Sequence, residues 1–189
     1  MQAVSHRNLL ALGMLVEVLI FSFTMVYFSP VEESVRMASR YSGRLSAGIF
    51  LYCLYLYTTN YPKPVADNDG LRKMLSLFAV LHLIHWGFLA ANVYINQIPL
   101  KVPKVIGGTL AYLMIVLAPF RLYKMSRGWQ WVFFIYVSFV MIMTYIARIK
   151  GDFLGAEPFW FHYFMVSFFV VALLVSGIRI WASNRRPMA

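Results

Sequence analysis

The chain has 189 residues, of which 61% are hydrophobic and 13% charged, and its 17 Lys and Arg against seven Asp and Glu give a formal net charge of +10. A soluble domain carries about 25% charged residues, so this composition excludes a water-solvated globule and asks for lipid as the solvent. The positive balance does not point to nucleic acid, because the basic residues fall at the ends of apolar runs, where they serve topology and contact lipid headgroups.

A helix crosses the hydrocarbon core with about 20 mostly apolar residues, and six stretches qualify: Leu9 to Phe28, Leu45 to Thr59, Met74 to Ile95, Val105 to Tyr123, Trp129 to Ala147 and Phe159 to Trp181. They are continuous apolar runs, whereas barrel strands alternate. The expected fold is therefore all-α, a polytopic membrane bundle of about six transmembrane helices forming one unit over 1–189.

Taken in chain order, the first span follows a charged region holding only Arg7. Its apolar run exceeds a signal core and no small-residue cleavage pair follows Phe28, so it reads as a retained span. It carries Glu17. In the segment 29–44, Ser29-Pro30-Val31-Glu32 matches a capping box with proline at the first helical position, and Val31, Val35 and Ala38 supply one apolar side. A short interfacial helix, lying on the headgroups, is expected there. The second span is the shortest, although its flanks from Tyr41 to Tyr61 extend it to spanning length. It holds Cys53, the single cysteine, so no intrachain disulfide can form. Tyr61-Pro62-Lys63-Pro64 and Asp67-Asn68-Asp69-Gly70 are turn-forming and make a polar excursion before the third span.

The third span carries His82 and His85. On the fourth, Gly107-Gly108 is a packing feature, since no lysine-serine pair follows and a strand is absent. The fifth contains no histidine, and the sixth begins with Trp160 and His162. Small residues four apart, Gly43 and Ala47, Gly87 and Ala91, Gly107 and Ala111, Ala172 and Ser176, allow close helix approach. Trp129, Trp131, Trp160 and Trp181 fit an interfacial aromatic belt.

Charge sets orientation. Arg7, Lys63, Arg72, Lys73, Arg121, Lys124, Arg127, Arg179, Arg185 and Arg186 fall on one face. Arg36, Arg40, Arg44, Lys101, Lys104, Arg148 and Lys150 fall on the other. The positive-inside rule puts both termini on the cytoplasmic side, as in a bacterial inner membrane.

Ionisable side chains within a membrane span are costly and mark sites. Three residues apart on a helix, His82 and His85 face the same side and can serve one pocket. Imidazole is a common axial ligand of heme iron, which makes His82 and His85 the candidate metal ligands. Glu17 and His82 lie at matching depths, on the order of 12 Å from the cytoplasmic surface, and a carboxylate beside an imidazole orients a ligand histidine or handles protons. A buried hydrogen bond or ion pair locking two helices together explains the same residues equally well. His162 sits near the outer end of its span, with an axial offset of about 10 Å from His85, and reads also as an interfacial hydrogen-bonding residue beside Trp160.

Ser42-Gly43-Arg44, Leu71-Arg72-Lys73-Met74-Leu75 leading into Leu81-His82-Leu83, and Trp129-Gln130 resemble the ferric reductase-like transmembrane domain family, in the form of the heme-binding membrane subunit of methionine sulfoxide reductase systems. The resemblance covers roughly 41–151. It implies a six-helix bundle that binds heme b and moves electrons across the membrane, with His82, or His85 after a one-turn slip, as the third-span ligand. The family's fifth-span histidines have no counterpart here, where Phe133 and the neighbourhood of Ile146 occupy the matching positions. Three arrangements remain: a second ligand such as Met141 or Met143, ligation through His162, or a bundle without heme. Two functions follow. One is a heme b electron-transfer subunit with a quinone or flavoprotein donor, and the other is a heme-free accessory or assembly subunit of a membrane complex.

Overall fold

The computed structural model describes residues 5–63, 65–99, 102–153 and 157–185, and of 102–104 only the backbone. Six long helices account for nearly all of it: α1 (His6–Tyr27), α2 (Val31–Asn60), α3 (Asp69–Ile95), α4 (Val102–Arg121), α5 (Arg127–Ile149) and α6 (Trp160–Arg185). There are no strands among the described residues. The fold is an all-α bundle, and five of its helices, all but α2, are long and apolar enough to cross a membrane. The protein is an integral, multi-pass membrane protein.

Local chemistry sets several of the boundaries. Ser5 caps α1 by accepting from the Asn8 amide at 3.3 Å, and Asn68 caps α3 by accepting from the Leu71 amide at 3.0 Å. This is the usual way of satisfying orphan amides in a first helical turn. Asp69 and Lys73 then pair at i,i+4. At the other end of α3, Gln97 takes a φ of 47° and the Ile98 amide bonds back to Val93. The turn between α4 and α5 is held by Gln130, which is buried and donates to the carbonyls of Leu122 and Met125.

The segment 29–44 departs from the sequence reading. It is not a separate interfacial helix, because α2 runs unbroken from Val31 to Asn60 and joins that segment to the second span. At about 1.5 Å per residue, its 30 residues extend about 45 Å, more than the hydrocarbon thickness of about 30 Å. The expected capping box is absent as well: Pro30 is the N-cap, with no side-chain cap bond. Ser34 instead donates to the Phe28 carbonyl at 2.8 Å.

Helices α2, α3, α4, α5 and α6 pack in a closed ring, each against the next and α6 back against α2, while α1 packs on α2 and α3. Phe50 of α2 is fully buried and meets Phe78 of α3, Phe133 and Phe134 of α5 and Phe169 of α6 at centroid distances of 5.2 to 6.5 Å. These rings, with Leu54, Ile115 and Val137, plug one half of the ring's interior. Polar ties reinforce it. Thr58 and Ser176 share a 3.0 Å hydrogen bond across α2 and α6, and Tyr136 donates to the Gly107 carbonyl at 3.1 Å across α5 and α4. The other half, toward the starts of α2, α4 and α6 and the ends of α3 and α5, is hollow.

Candidate functional site

The hollow half is a cavity of about 280 Å³, near the lower end of ligand-pocket sizes. His82, His85 and His162 all line it, as do Arg36, Arg40, Arg44 and Arg148, and no carboxylate does among the described residues. Its apolar walls include Ala47, Leu89, Ala111, Val140 and Met141.

His82 stands at the junction of plug and cavity. Its Nδ1 shares a 2.7 Å hydrogen bond with Ser46 Oγ, Phe78 lies beneath it, and the Tyr112 ring stacks on it at 4.4 Å. Fixing Nδ1 orients the ring and leaves Nε2 as the nitrogen available to a ligand. His85 is one turn farther along α3, with its ring 5.5 Å from that of His82. It lies against Gly43, where a Cβ would come within 2.8 Å of its Cε1. The small residue on α2 is therefore a seat for an imidazole. Gly87 does not share such a role, since nothing lies within 4 Å of a Cβ built there.

His162 is 6% exposed and His85 9%, and the Nδ1 of each is buried without a hydrogen-bond partner. His162 Nδ1 thus makes no hydrogen bond. Its neighbours are the rings of Tyr145 and Phe159. The axial offset from α3 does not separate it from the other two histidines, because the cavity is long enough to reach all three. Of the two methionines on α5, Met141 faces the cavity, whereas Met143 is 47% exposed on the outer surface.

Glu17 is elsewhere. Its Oε1 accepts from Ser42 at 2.9 Å across α1 and α2, its Oε2 has no partner, and it hydrogen-bonds to no imidazole. Ser42 and Ser46, one turn apart on α2, hold Glu17 and His82 separately. Bare-ion binding by His82 and His85 gains no support, since the described residues contain no group of three or more His, Cys, Asp or Glu placed to hold a metal ion.

Sequence reasoning missed the four arginines as part of the site. Arg36, Arg40 and Arg44 recur at i,i+4 on α2, and Arg148 faces them from α5. Arg36 binds Glu33 at 2.6 Å and donates to Asn96 at 2.8 Å, and Arg44 lies over the rings of Tyr41 and Phe161. No family model matches the chain, and no curated protein or solved structure matches it significantly. What the site does must be argued from its own chemistry.

Proposed function

We propose that the chain is a membrane heme b electron-transfer subunit of a ferric reductase-like oxidoreductase, holding the group between α2, α3, α5 and α6. The observation that supports this reading is the convergence, in one apolar-walled cavity, of three imidazoles with four guanidiniums and, among the described residues, no carboxylate. Imidazole nitrogen suits heme iron, guanidinium suits the porphyrin's carboxylates, and the apolar walls suit its macrocycle. The donor set therefore suits the group, although a porphyrin is larger than the cavity of about 280 Å³ and the helices would have to part to admit it; when bound it would supply one-electron redox chemistry between a quinone or flavoprotein donor and an acceptor. His82 is the first choice as ligand because Ser46 fixes its other nitrogen. His162 or Met141, which also line the cavity, would supply a second ligand, and Met143 is set aside by its outward position. Ser46 and Tyr112 hold the His82 ring in one orientation, and Gly43 leaves His85 its space.

The same reading places both termini in the cytoplasm of a bacterial inner membrane, with the cavity opening toward the outer face. The aromatic plug then lies on the cytoplasmic side.

A second reading is favoured by the hydrogen bonds from Ser42 to Glu17 and between Ser46 and His82. Such bonds hold helices together in lipid, as a heme-free accessory or assembly subunit of a membrane complex requires. The absorption spectrum of the purified protein decides between the two. A reducible Soret band that shifts or vanishes in His82→Ala or His162→Ala supports heme binding. A colourless, folded preparation from heme-replete cells overturns it.

A further inference from the structure

Arg36, Arg40 and Arg44 stand 40° apart around α2 at each i,i+4 step, so their guanidiniums share one face, and that face lines the cavity. Arg148 lines it from α5, within electrostatic reach of both Arg40 and Arg44. Like charges at this spacing repel even on an exposed helix, and a half-enclosed site strengthens the repulsion by lowering the dielectric. Arg44 lies over the rings of Tyr41 and Phe161 and Arg148 over that of Phe153, and neither forms an ion pair with a carboxylate among the described residues. Glu33 pairs with Arg36.

A second observation is independent of charge. Three nitrogens that belong to cavity-lining residues, Arg36 Nε, His85 Nδ1 and His162 Nδ1, are buried without partners. Buried polar atoms in folded proteins are nearly always hydrogen-bonded, and leaving one unpaired is destabilising. The clustered guanidiniums, with Arg36 Nε an orphaned donor, are complementary to a group rich in anionic oxygen, and an imidazole whose Nδ1 carries the proton can donate to the same group. Arg forks accept carboxylate and phosphate in bidentate fashion.

We propose that Arg36, Arg40, Arg44 and Arg148 form an oxyanion-binding site at the open end of the cavity, which takes a carboxylate or phosphate group. The site does not depend on iron. The group could arrive on a soluble anion, on a phospholipid headgroup, or as the carboxylates of the heme proposed above, and the chemistry is shared.

The test uses the full chain in detergent and in nanodiscs. One arm titrates inorganic phosphate and, separately, succinate at ionic strength held constant with chloride, following thermal unfolding. Another measures, by native mass spectrometry, phosphatidylglycerol retained from mixed phosphatidylcholine nanodiscs. A third measures heme retention in any sample with a Soret band. At least one arm is expected to give saturable binding that Arg148→Gln and Arg40→Gln each weaken about tenfold or more and that Arg148→Lys retains in part. The arm that responds identifies the source. If neither glutamine variant, both folded by circular dichroism, changes any of the three, or if chloride alone reproduces the stabilisation, the inference is overturned. A colourless protein that binds phosphate or lipid through these arginines removes the heme reading and keeps this one. A heme-loaded protein indifferent to both glutamine variants does the reverse.

Discussion

Gly43 and Ser46 do the closest work on the imidazoles. A methyl at position 43 would sit 2.8 Å from His85 Cε1, inside any real contact distance, so Gly43→Ala must push the ring or part the helices. Overpacking of this kind costs about 1–3 kcal/mol, a loss measurable by denaturant unfolding in detergent. Ser46→Ala removes the partner of His82 Nδ1. With heme bound, loss of an orienting hydrogen bond of this kind is expected to weaken retention about 10- to 100-fold, read as the rate of heme transfer to an apo-acceptor. Without heme the same variant should cost about 1–3 kcal/mol of stability and nothing else. His82 and His85 were legible in the sequence because an ionisable pair inside an apolar run has few explanations. Arg36, Arg40 and Arg44 were not, since a row of like charge at i,i+4 near a span reads as a headgroup-facing surface until the ring of helices shows which way it points. Arg148 carried no signal of its own, being one basic residue at a helix end among several.

Helix α2 has the weakest apolar signal in the sequence and the most central position in the fold. It touches α1, α3 and α6 directly and reaches α5 through Phe50 and Tyr57. Protein covers it on most sides, which is why it can carry Ser34, Ser39, Ser42 and Ser46, all buried. A lipid-facing helix must present apolar atoms around its circumference, whereas a helix shielded by neighbours can meet polar partners instead. Hydropathy alone divides α2 into a surface piece and a short span, because it registers composition and not who the neighbours are. Phe50→Ala, which empties the meeting point of α2, α3, α5 and α6, is expected to cost about 3–5 kcal/mol. A comparable truncation at the exposed Phe139 of α5 should leave the unfolding midpoint nearly unchanged.

For the whole molecule, the ring is stoppered by aromatic side chains on one half and hollow on the other. Access is therefore expected from one face only. Cys53 is fully buried, so the native thiol should give little background with an impermeant maleimide. Gly108→Cys, at a cavity-lining position with open space around it, should label from the outer side of oriented vesicles. Val137→Cys, in the plug, should label from neither, and labelling from both faces would contradict the stopper. The number of long helices and, α2 apart, their approximate limits were readable from apolar run lengths, because lipid imposes them residue by residue. The one-sided hollow was not, since it depends on which faces converge. The continuity and shielding of α2 also bear on how the chain enters the membrane. Three arginines on its early turns disfavour insertion, so α2 gains its footing from the helices beside it. A nascent chain cut after Tyr61 should let this segment slip back into water, while one extended through Ile95 should retain it. Glycosylation mapping of the two truncations measures the order in which biogenesis assembles the bundle.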